Sequence, residues 1–172
     1  VRRQSRGRIQ VTNRHMRQVI NELTFSEKTF HRLGPAVKSG TSIFIYGPPG
    51  NGKTSVARAI GNLILSQTMY IPYAIYVDGQ VITVFDSVNH QLAPEEETVP
   101  GRGGPRKDTR WVHIRRPFIM VGGELTLSGL DLVFDDTLKF YEAPFQVKAN
   151  GGILLIDDFG RQQVRPRDLL NR

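Results

Sequence analysis

One stretch constrains this chain more than any other. Ser42–Ala59 reads SIFIYGPPGNGKTSVARA. It opens on an apolar run, Ile43-Phe44-Ile45-Tyr46, whose pattern predicts a buried strand. Gly47 through Thr54 then match G-x-x-x-x-G-K-[ST] in full. Past the turn, Val56, Ala57, Ile60, Leu63 and Ile64 recur at helical spacing and predict a helix over 53–66. Strand, glycine-rich turn and helix in that order point to an α/β fold whose turn cradles a phosphate.

The residue types suit that chemistry. Gly50 and Gly52 let the backbone approach a phosphate with no side chain in the way. The amides of Gly50 through Thr54 are expected to turn inward as an anion nest at a helix N-terminus. The candidate nucleotide-binding residues are therefore Gly47, Pro48, Pro49, Gly50, Asn51, Gly52, Lys53, Thr54 and Ser55. Lys53 would bring a point charge to the outer phosphates, which makes it a candidate catalytic residue too. The Thr54 hydroxyl is a candidate Mg²⁺ ligand.

A second pattern lies further on. Gly151-Gly152 introduces an apolar run, Ile153-Leu154-Leu155-Ile156, that ends in Asp157-Asp158. A buried strand of this kind delivers Asp157 to the Mg²⁺ shell, directly or through water. Asp158 is the candidate catalytic acid–base residue, placed to orient or deprotonate an attacking water. A guanine-specific N-K-x-D motif does not occur, so the nucleotide expected is ATP, with Mg²⁺.

Composition excludes several classes. There are no cysteines, hence no disulfide framework and no thiolate metal site. No apolar run approaches the roughly 20 residues that a membrane span needs. A reducing, cytoplasmic setting fits. The net charge of +7 is unevenly spread: Arg2, Arg3, Arg6, Arg8, Arg14 and Arg17 all precede the first acid, Glu22. With no aromatic interleaved among them, a solvated basic linker is the first reading and a nucleic-acid contact the second.

The organisation expected from the chain is as follows. Residues 1–40 form a basic linker with helices from Asn13 to Leu23 and from Ser26 to Gly34. Residues 41–70 carry the phosphate loop with its strand and helix. Residues 71–134 are a β-rich insertion, in which Ile71-Pro72 breaks the pattern. In it, Tyr73–Val77 and Val81–Phe85 flank Asp78-Gly79, a strong hairpin signal. Residues 91–108 hold three prolines and three glycines and are expected to be a mobile loop, with Glu95-Glu96-Glu97 a solvated charge run. Trp111–Ile114 and Phe118–Val121 are expected strands, and His113 is expected to be structural. Leu125–Phe134 is ambiguous, and Leu127-Ser128-Gly129-Leu130 lacks the second glycine and the glutamine of the ABC-transporter signature. Residues 135–172 carry the acidic strand, with at least one helical turn expected over Thr137–Tyr141.

GPPGNGKT, ANGGILLIDD and VRPRDLLNR together resemble an AAA+ ATPase of the P-loop NTPase class. The similarity is greatest to the MoxR, magnesium-chelatase and σ54-activator side, and to uncharacterised bacterial AAA+ proteins. It covers residues 34–66 and 143–172. It implies a three-layer α/β core, incomplete at its C-terminal side and interrupted by the β-rich insertion. The phosphate-loop strand and the acidic strand would not be neighbours in that core, because a later strand separates them. The resemblance further implies a homo-oligomeric ring that hydrolyses ATP to remodel a protein partner. A nucleic-acid-dependent motor and a nucleotide-dependent switch or scaffold with little turnover are the alternatives. Most of the superfamily has Asp-Glu where this chain has Asp157-Asp158. The chain is expected to be a fragment, lacking sensor 1, the arginine finger and the lid, and so to turn ATP over poorly by itself.

Overall fold

The computed structural model describes Pro35 and residues 41–65, 67–94 and 108–171. The expected helices at 13–23 and 26–34, the arginine cluster, Glu95-Glu96-Glu97 and most of the 91–108 loop lie outside the described residues. The chain divides into two compact units, Val1–Gln67 and Thr68–Arg172.

The first unit contains α1, Lys53–Leu65. It starts where the helical spacing places it, and Val56 and Ile60 are buried on one face. Ile43–Tyr46 is not the buried strand that its composition predicts. The segment carries no strand assignment, and Phe44 and Tyr46 are 67% and 84% exposed. The apolar run supplies strand propensity, but a strand exists only through its ladder, and no ladder is assigned there. Phe44 and Tyr46 instead stack on one another, with ring centroids 6.3 Å apart.

The second unit is built from three small sheets. In the first, β1 (Thr68–Pro72) pairs antiparallel with β4 (Trp111–Arg115). Strict alternation puts Met69, Ile71, Val112 and Ile114 on one face, where Ile71, Val84 and Ile114 form a core. On the other face Tyr70 stacks on His113 at 4.4 Å. Ile71-Pro72, read as a break, is the end of β1. Pro72 stands opposite Trp111 at the terminus of an edge strand, where its missing amide is tolerated. Gln91–Ala93, assigned to the loop by composition, runs along the other side of β4. Arg115 N donates to Gln91 O at 2.8 Å and Ala93 N to His113 O at 3.0 Å. Gln91-Leu92-Ala93 lacks β-branched residues, so no local signal marks the pairing.

The second sheet has the order β2-β3-β7-β6. β2 (Ala74–Val77) and β3 (Gln80–Thr83) form the expected hairpin. Its turn has Asp78 at φ +48° and Gly79 at φ +82°, the paired left-handed conformation of a two-residue hairpin turn. β6 (Val133–Asp135) and β7 (Phe140–Glu142) form a second hairpin, and β7 pairs parallel with β3. The helical turn expected over Thr137–Tyr141 is therefore a hairpin loop followed by a strand. Asp135 decides this, because its Oδ1 accepts the amides of Thr137 and Leu138 at 2.8 and 2.9 Å. Ambiguity over Leu125–Phe134 resolves into a 3₁₀ turn, Ser128–Leu130, and the start of β6.

The third sheet pairs β5 (Phe118–Val121) in parallel with β8 (Ile153–Ile156). The crossover between them passes through β6, β7 and α2 (Phe145–Lys148). Ile119, Val121, Leu125, Leu130, Ala149, Val164 and Leu169 form the larger core, with Leu154, Ile156 and Phe159 packed against it. Leu169 comes from α3, Pro166–Leu170. Gly152 sets the register. A Cβ there would lie 1.9 Å from the Pro117 carbonyl oxygen, which itself accepts the Ile153 amide at 2.9 Å. Only glycine lets β8 start that close to Pro117.

A polar cluster around the buried Lys148 ties the segment after β3 to β7 and α2. Lys148 Nζ donates to Asp86 Oδ2 at 2.7 Å and to Glu142 Oε1. His90, 3% exposed, accepts the Asp86 amide on Nδ1, so its Nε2 carries the proton and donates to Lys148 O at 2.9 Å. Among the described residues no helix is long and apolar enough to cross a membrane.

Candidate functional site

The phosphate-loop sequence belongs to the first unit and the two acids to the second. In the loop, Gly50 and Gly52 have φ +80° and +69°, a region that residues with a Cβ rarely enter. The space beside both is open, so backbone strain, not crowding, opposes a side chain there. The first helical hydrogen bond runs from Val56 N to Gly52 O at 2.9 Å. Gly52 is thus the residue at which the loop becomes α1, as the motif requires.

Lys53 folds back over the loop. Its Nζ donates to Pro48 O at 2.8 Å and to Gly47 O at 3.1 Å. The ammonium is held at the loop by two neutral carbonyls, partners that an anion with charge-assisted hydrogen bonds would outcompete. Gly47, Pro48, Pro49, Gly50, Asn51 and Ser55 are exposed, while Gly52, Lys53 and Thr54 are half-buried. The loop thus presents an accessible surface rimmed by the residues that the motif nominates.

In the second unit, β8 carries Asp157 and Asp158 to the C-terminal end of a parallel strand pair. The pairing with β5 continues one residue past β8, because Asp157 N donates to Val121 O at 2.8 Å. Asp157 is half-buried and Asp158 exposed. Asp158 has φ +51°, and its amide donates to Asp157 Oδ1 at 3.0 Å. Arg161 Nη1 stands 3.7 Å from Asp158 Oδ2, with both side chains largely in solvent.

Two residues near this turn escaped the sequence reading. Gln162, 9% exposed, bridges the turn through its side-chain amide. Glu124 follows β5 on the same side of the pair, where its Oε1 accepts the Gly122 amide at 2.8 Å. Backbone donors at Gly122 and Glu124 hold its carboxyl below the usual glutamate range. Neither residue belongs to a motif. Only the folded path past Asp158 brings Gln162 to the acids.

Among the described residues no three His, Cys, Asp or Glu side chains gather closely enough to hold a metal ion by themselves. The candidate oxygen donors are the Thr54 hydroxyl in the first unit and the Asp157 carboxylate in the second. A single oxygen donor of either kind suits Mg²⁺, which binds through one or two protein oxygens together with waters and substrate phosphates. It does not suit a resident Zn²⁺ or Ca²⁺, which demand more ligands from the protein.

No protein-family model matches this chain, and no curated protein matches it.

Proposed function

We propose that the chain is an ATP-binding module of the AAA+ type, hydrolysing ATP in an oligomer to remodel a protein partner. One observation carries the binding step: a loop with left-handed Gly50 and Gly52 leads into α1 while Lys53 Nζ lies over its carbonyls. A cation and a helix start joined by glycines form a site for a polyphosphate. The proposed Mg²⁺ ligands are the Thr54 hydroxyl of the first unit and Asp157 of the second, and a bound Mg²⁺ would neutralise charge on the outer phosphates. Asp158 orients an attacking water and takes its proton.

Lys53→Ala tests the reading. Loss of a charge-assisted contact costs about 1.5–3 kcal/mol, which weakens nucleotide binding about 10- to 150-fold. Titration of the protein with a fluorescent ATP analogue in Mg²⁺ reads this directly. Equal affinity in wild type and variant sinks the assignment.

A further inference from the structure

The Asp158 amide donates to Asp157 Oδ1 at 3.0 Å, and further bonds come from the residues after them. β8 ends at Ile156, and the chain leaves the sheet through a turn in which Asp158 is left-handed at φ +51°. Asp is among the few non-glycine residues that enter this region, and hydrogen bonds to the turn select it there. Arg161 N donates to Asp158 O at 2.9 Å, and Gln162 supplies the side-chain bonds. Its Nε2 donates to Asp157 O at 2.7 Å and to Asp158 O at 3.2 Å, and its Oε1 accepts the Gly160 amide at 2.7 Å. One buried side-chain amide thus spans the turn and fixes the peptide planes on both sides of Asp158. Just after it, Val164 and Leu169 are buried in the larger core.

We infer that Gln162 is a positioning residue, a clamp that sets the directions of the Asp157 and Asp158 carboxylates; this rests on the ATP-binding reading above. The clamp matters because both carboxylates are short. An Asp side chain has little reach to correct a misplaced Cα, so the backbone must put the oxygen where it is needed. A side chain that orients a metal ligand from outside typically changes metal affinity or activity by about 10- to 100-fold when removed.

The test uses the chain with Gln162→Ala and Gln162→Glu, with Lys53→Ala as a reference. Glu keeps the acceptor for Gly160 N but has no donor for the two carbonyls. Binding of a fluorescent ATP analogue is measured in EDTA and across a Mg²⁺ titration. Hydrogen exchange at the β5·β8 amides monitors the fold. The expected result is a Mg²⁺ midpoint raised about 10-fold or more in both Gln162 variants. Binding in EDTA should be unchanged and β5·β8 protection retained. Lys53→Ala should weaken binding in EDTA as well. Mg²⁺ midpoints within twofold of wild type overturn the clamp and leave the ATP reading standing. So does a raised midpoint accompanied by lost β5·β8 protection, which marks a merely structural role. A wild-type chain that binds no nucleotide overturns both.

Discussion

Replacing Lys148 with methionine is expected to destabilise the second unit by about 3–5 kcal/mol, the usual cost of breaking a buried ion pair from one side. Lys148 is 5% exposed, and its ammonium meets Asp86, whose side chain is only 16% exposed. Without the lysine, the Asp86 carboxylate is left largely buried with no cation. Glu142 matters less, because its side chain is 52% exposed and water can solvate it. The double variant Lys148→Met/Asp86→Asn should therefore recover much of the loss. Urea unfolding of the three proteins measures this. A single variant costing under about 1 kcal/mol, or a double variant no better than the single, would show that the pair is not coupled. pH gives an independent reading. Burial alone pushes the Asp86 carboxyl up, but hydrogen bonds from Lys148, Asn89 and the Val88 amide outweigh it and hold the group at about 2. That lies below the unfolded value of about 3.9. The contribution is thus fully present above the unfolded value and is lost as pH falls towards 2. Lys148 works in the other direction. Burial lowers its pKa, but the bonds to Asp86 and Glu142 raise it above the usual lysine value. Its contribution holds below the unfolded value and is lost as pH rises through the folded one. Lys148→Met should flatten the acid limb of the stability curve.

That cluster also shows where sequence reading stops. Asp86 and Lys148 are 62 positions apart. Each looks like an ordinary surface charge until the chain closes on itself. What is legible is what depends on near neighbours. Asp78-Gly79 is legible because its turn needs positive φ at consecutive residues, and few dipeptides accept that. α1, β4, β5 and β8 are legible because each is a bounded apolar run of the right period. β7 is not. Phe140-Tyr141-Glu142 is too short to show a period, and its nature is decided by Asp135 upstream and β3 far away. β1 ends on a proline, which local rules treat as a break, although one at the end of an edge strand does no harm. Ile43–Tyr46 errs in the opposite sense, with a strand's composition and no strand assigned. The candidate site divides the same way. Its motif residues fall in two short runs that spacing nominates, whereas the bonds from Gln162 to the acids' carbonyls show only in the fold.

Asp158→Asn is expected to lower ATP turnover about 10²- to 10⁴-fold, the usual contribution of a positioned acid–base group, while nucleotide affinity stays within about twofold. The substitution is unusually clean here. Asn, like Asp, is among the few side chains that enter the left-handed region readily, so φ +51° survives the change. Size and turn geometry are kept and only the charge goes. Asp158→Glu makes the complementary test. Glutamate is the residue that the AAA+ resemblance leads one to expect at this position, and it reaches one methylene further. It lacks the local hydrogen-bonding habit that lets Asp sit in a left-handed turn, and should cost about 1 kcal/mol of stability. The backbone at 158 thus offers a physical reason for the shorter acid: the turn that Gln162 clamps favours Asp over Glu. Under the proposed reading, turnover is measured as phosphate release in the assembled oligomer, with Lys53→Ala as the blank. That reading calls for the oligomer because an arginine of a neighbouring subunit would meet the charge on the γ-phosphate, a contribution worth about 10³–10⁵ in rate in other NTPases. Lys53-dependent turnover that survives Asp158→Asn undiminished would assign the water to another residue. Glu124, at the end of β5 on the same side of the strand pair, would then be the next carboxylate to replace.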